Sequence, residues 1–138
     1  MRLATVMTDE APAAVGPYSQ AVAAGGLLFV SGQLPLVPGS GEIRAGTVTD
    51  QARQALTNAL AVVRQAGLQV TDIAKTTVFL TDLAAYGEMN EVYESFFGGW
   101  RPARSVVEVA GLPRGAQVEV EVVAELDRSG SGAPEGGR

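Results

Sequence analysis

A chain of 138 residues with 46% apolar side chains has enough length and hydrophobicity for one domain with a real core. It contains no Cys and no His, which excludes disulfides, thiolate nucleophiles, Ser-His catalysis and the commonest metal ligands. A formal net charge of −5 repels phosphate backbones, and no stretch reaches the roughly 18–20 apolar residues needed to span a bilayer. Nor does the opening MRLAT have the apolar run of a secretion signal. The totals describe a cytoplasmic protein that binds neither nucleic acid nor membrane. Its chemistry is left to Arg, Lys, carboxylates, Tyr, Ser, Thr and backbone groups.

Residues 3–7 read as an edge strand. Residues 19–23 and 27–30 read as two strands joined by a hairpin turn at Gly25-Gly26. Residues 48–66 carry Ala52, Leu56, Ala59, Leu60, Val63 and Ala66 at spacings of three and four, which predicts an amphipathic helix. Thr47 serves as its N-cap and Gly67 as its stop. Residues 75–80 form a β-branched strand. A second helix spans residues 83–97, capped by Asp82, with Leu83, Tyr86, Met89, Tyr93, Phe96 and Phe97 on its apolar side. Residues 105–109 and 117–126 complete the strands. The last alternates cleanly, with Val118, Val120, Val122 and Ala124 on one face and Glu119, Glu121, Val123 and Glu125 on the other. Residues 128–138, RSGSGAPEGGR, hold no bulky apolar side chain and cannot offset their ordering entropy. The chain therefore divides into one domain, residues 1–127, and a flexible tail.

The order β-β-β-α-β-α-β-β belongs to the α+β class. Two helices cover one face of such a sheet, yet residues 27–30, 76–80 and 106–109 carry apolar side chains on both faces. The second face needs a cover, and another copy of the chain is the economical one.

Several residues can carry chemistry. Arg104, at a strand start, offers a planar fork for a carboxylate. Glu119 can take a proton from water and pass it to a leaving amine. Ser31 and Gly32 end a strand where the backbone can approach a ligand closely, and Tyr18 follows Gly16-Pro17. Asn90 lies beside apolar helix positions, where an amide ordinarily satisfies backbone groups. Tyr93 and Trp100 read as core or interface anchors. No glycine cluster matches a nucleotide-binding loop, and no acidic cluster has EF-hand spacing.

Taken in order, these segments resemble the RidA/YjgF family. The resemblance rests on APAAVGPYSQA (11–21), FVSGQLP (29–35), QARQAL (51–56), KTTVFLTDL (75–83), NEVYESFF (90–97), PARS (102–105) with VEVAGLP (107–113), and VEVE (118–121). It covers about residues 7–126. It implies a chorismate-mutase-like fold, a mixed sheet with two helices on one face. It further implies a homotrimer with sheets packed into a central barrel and active sites between subunits. The activity implied is hydrolytic deamination of reactive 2-imino and enamine acids, such as 2-aminoacrylate and 2-iminobutanoate, to 2-keto acids and ammonia. Such enzymes remove damaging intermediates and need no metal or organic cofactor. By the same resemblance Arg104 binds the substrate carboxylate and Glu119 activates water. Ser31 and Gly32 hold the substrate, Tyr18 closes the pocket from a neighbouring subunit, and Asn90 shapes the cleft. Many members have Cys two positions after the signature arginine, where this chain has Val106. Two rival readings share the same cleft: a non-catalytic metabolite sensor, and a deaminase-like enzyme of a specialised pathway. A ribonuclease reading fits poorly with the acidic balance and the absence of His.

Overall fold

The computed structural model describes residues 4–126; the proposed tail lies outside the described residues. Six strands and two helices follow one another as β1 (Ala4–Val6), β2 (Ala21–Ala24), β3 (Leu27–Gln33), α1 (Val48–Gln65), β4 (Ile73–Leu80), α2 (Tyr86–Phe97), β5 (Ala103–Glu108) and β6 (Val118–Glu125). All strands join one sheet in the order β1-β2-β3-β6-β4-β5. Only β4 and β5 run parallel, so the sheet is mixed and the fold is α+β, as expected.

The β2–β3 hairpin turns at Gly25 and Gly26, whose φ angles of 61° and 80° are the left-handed values that a tight hairpin requires. Thr47 caps α1 through a reciprocal capping box with Asp50. The apolar stripe of α1 lies over β3 and β6, and α2 packs beside it. Leu28 and Val30, Val78 and Leu80, and the even-numbered positions of β6 fill the core beneath.

One expectation is corrected. The second helix begins at Tyr86, not at residue 83. Residues Leu83–Ala85 form a 3-10 turn, and Asp82 caps that turn by accepting the Ala84 N–H at 2.9 Å. Leu83 and Tyr86, read as apolar helix-face positions, are both exposed. The remaining elements shift by one to three residues. The largest shift extends β3 to Gln33 through a bulge between Val30 and Gln33.

The sheet face opposite the helices is bare in the single chain. Phe29 is 46% exposed and Val107 41% exposed there, with Phe79 and Val123 half-buried beside them. Glu119 and Glu121 point to the same face, because their neighbours Val118, Val120 and Val122 are buried beneath the helices.

Candidate active site

The sequence-predicted residues fall into two groups, on two sides of the molecule. The first group forms where edge strand β5 meets α2. Thr76 of β4 faces the helices, and its hydroxyl bonds the Tyr93 hydroxyl at 2.8 Å. Arg104 is its register partner on β5 and shares that face. The guanidinium of Arg104 lies 4.7 Å from the centre of the Tyr93 ring. Its Nη1 donates to Asn90 Oδ1 at 2.6 Å, and its Nη2 donates to the Tyr86 hydroxyl at 2.8 Å. A cleft of about 290 Å³ opens here, lined by Asn90, Tyr93, Glu94, Arg101, Pro102 and Arg104. Burial pushes the Tyr93 hydroxyl pKa up; the Thr76 bond and the Arg104 charge offset this only in part, so the ring stays neutral beneath the cation.

Tyr86, Asn90 and Tyr93 stand at positions i, i+4 and i+7 of α2, one stripe of the helix. The expectation that Asn90 serves backbone groups is therefore replaced: its amide oxygen holds Arg104. Tyr93 is a core anchor, stacked on Phe97 at 4.4 Å, and also the floor beneath the arginine. Trp100 is an anchor as well, its Nε1 donating to the Ile73 carbonyl at 2.8 Å. Val106 packs against the core.

The second group gathers at the end of β3. Gln20 is buried and organises the loop before it: its Oε1 accepts the Thr8 N–H at 2.7 Å, and its Nε2 donates to the carbonyls of Thr8 and Pro12. The Ser31 hydroxyl donates to the Ser19 carbonyl at 2.6 Å, and the Ser31 N–H to the Gln20 carbonyl at 2.9 Å. These bonds place Tyr18 beside Gly32. Both line a cleft of about 250 Å³. Glu119 lies directly over Gly32, so a Cβ at position 32 would push its carboxylate aside from where it now sits. The Glu119 carboxyl pKa is raised, first by burial and then by the neighbouring Glu121 charge.

Arg104 and Asn90 are thus brought together; Gly32 meets Glu119 and shares a cleft with Tyr18, while the Ser31 hydroxyl is spent on the Ser19 carbonyl. The two groups are not brought to each other within one chain, because Arg104 faces the helices and Glu119 the open side. Tyr86, Tyr93 and Gln20 were not singled out from the sequence as site residues. The i, i+4, i+7 stripe on the second helix was the available signal for the two tyrosines.

Residues 8–126 match the family described as endoribonuclease L-PSP. A RutC family protein of Sinorhizobium fredii is 50% identical over 121 residues, covering 88% of this chain and 96% of that protein. The 2-iminobutanoate/2-iminopropanoate deaminase of Escherichia coli K12 is 49% identical over 123 residues, covering 87% of this chain and 95% of the enzyme. The crystal structure of E. coli TdcF with bound serine superimposes with a TM-score of 0.85 at 46% identity, covering 90% of this chain and 99% of TdcF. The chain therefore belongs to the endoribonuclease L-PSP family, the RidA/YjgF family that its motifs resemble.

Proposed function

We propose that the protein hydrolyses small 2-imino acids and their enamine tautomers to 2-keto acids and ammonia, at sites shared between the subunits of a homotrimer. The observation that carries this reading is the division of the machinery. A carboxylate anchor, Arg104, sits at one edge of the chain. A half-buried carboxylate, Glu119, sits on the bare sheet face with Gly32 and Tyr18 close by. Packing that bare face against a second copy covers its apolar residues and can bring Arg104 of one subunit to a neighbouring subunit's Glu119. The E. coli deaminase and the serine-bound TdcF support a small ligand with an α-carboxylate.

In this reading Arg104 grips the substrate carboxylate through parallel N–H bonds. The imine carbon is already electrophilic, so water adds to it. Glu119 takes a proton from that water and returns it to the nitrogen. The resulting carbinolamine collapses to the keto acid and ammonia. A raised pKa suits Glu119 to both steps, because burial and the Glu121 charge make its carboxylate a better proton acceptor than an ordinary one. A ribonuclease reading finds less support in a chain with a net charge of −5 and no His.

The test is a coupled assay. An amino-acid oxidase generates 2-imino acids in situ, and release of keto acid is followed with and without the protein. Release well above the spontaneous rate is expected. No acceleration across several short imino acids would return the protein to the metabolite-sensor reading.

A further inference from the structure

Arg104 has five N–H groups and no acceptor. Asn90 takes one and Tyr86 takes another, which leaves three for a ligand. The Tyr86 hydroxyl acts as the acceptor in its bond to Nη2, so its own hydrogen is not spent on Arg104. Among the described residues nothing else accepts that hydrogen. Tyr86 is also 42% exposed; it does not line the cleft itself but is tied to it through its bond to Arg104. An anion oxygen on the guanidinium N–H that runs parallel to the Nη2–Tyr86 bond would lie within reach of this hydroxyl. A carboxylate offers about four lone-pair sites, enough for two bonds from Arg104 and a third from Tyr86.

We infer that Tyr86 is a substrate-binding residue, donating its hydroxyl hydrogen to the carboxylate that Arg104 holds. The inference rests on the reading of Arg104 as the carboxylate anchor. The ring contact with the guanidinium, at 5.6 Å, is independent of the hydroxyl. Tyr86→Phe therefore keeps the ring and removes the hydroxyl both as donor to the ligand and as acceptor of the Arg104 Nη2 bond. Because the bond forms with the bound substrate and persists through the reaction, its loss raises KM and leaves kcat unchanged.

The experiment compares wild type, Tyr86→Phe, Arg104→Ala and the double variant. Binding of 2-oxobutanoate, the stable product, is measured by calorimetry. KM and kcat are measured in the coupled assay. Tyr86→Phe is expected to weaken 2-oxobutanoate binding and to raise KM about tenfold, the scale of one hydrogen bond to a charged group. Its thermal midpoint should not move, and its affinity for the neutral 2-oxobutanamide should fall by less than its affinity for 2-oxobutanoate, because bonds to a charged acceptor are the stronger ones. In the Arg104→Ala background the same change should have no further effect. Binding and KM within twofold of wild type would overturn the role of Tyr86 while leaving Arg104 in place. A fall in thermal midpoint and kcat together would also overturn it, as a purely structural effect. Wild-type binding by Arg104→Ala would instead overturn the anchor itself.

Discussion

Replacing Arg104 with alanine is expected to lower kcat/KM for a short 2-imino acid by roughly 10²–10⁴-fold while the fold survives. Two charge-assisted bonds to a carboxylate contribute about 1.5–3 kcal/mol each, and every 1.4 kcal/mol is tenfold. The side chain lies at an edge strand, and its partner Tyr86 is exposed, so water can replace the lost bonds at little cost. Arg104→Lys should also lose most activity, because an ammonium cannot offer the planar fork or share the Asn90 and Tyr86 bonds in the same plane. The coupled assay alongside thermal unfolding measures both quantities. Activity retained in Arg104→Ala would remove the arginine from the mechanism.

Glu119→Gln is expected to do two opposite things. Activity should fall by roughly 10²–10⁴-fold, the usual contribution of a positioned acid–base group. Stability at neutral pH should rise. The folded-state pKa of Glu119 lies above its ordinary value, so the folded chain binds the proton more tightly than the unfolded chain. Stability therefore falls as pH rises from the ordinary carboxylate range through the raised value. Glutamine carries no charge and escapes that loss. Thermal midpoints measured across pH should show the variant above wild type at pH 7–8, with the difference vanishing in acid where both side chains are neutral. The same titration gives wild-type activity an acidic limb, since protonated Glu119 cannot take a proton from water. A variant less stable than wild type at neutral pH would contradict this account of the carboxyl.

The sequence was informative wherever burial is one-sided. The strict alternation in residues 118–125 set the last strand and put Glu119 opposite the core. The stripe over residues 48–65, with Thr47 before it and Gly67 after it, placed the first helix almost to the residue. The second helix start was missed because one turn of 3-10 helix and one turn of α-helix share a cap and differ little in spacing. The face chosen by Arg104 was not legible. The flanking Val106 and Val107 are both apolar, so only pairing with β4 and contact with α2 settle which way the strand turns. The loop that carries Tyr18 was unreadable for another reason: a buried amide, Gln20, organises it through backbone bonds that no periodicity reveals.

In the proposed mechanism each site takes Arg104 from one chain and Glu119 from another. Arg104→Ala and Glu119→Gln are each expected to be inactive alone. Co-expressed in equal amounts with different tags and purified as mixed trimers, they should recover about a third of wild-type activity, because one of the three interfaces in every mixed ring pairs an intact arginine with an intact glutamate. Mixed oligomers as inactive as either parent would contradict the shared site.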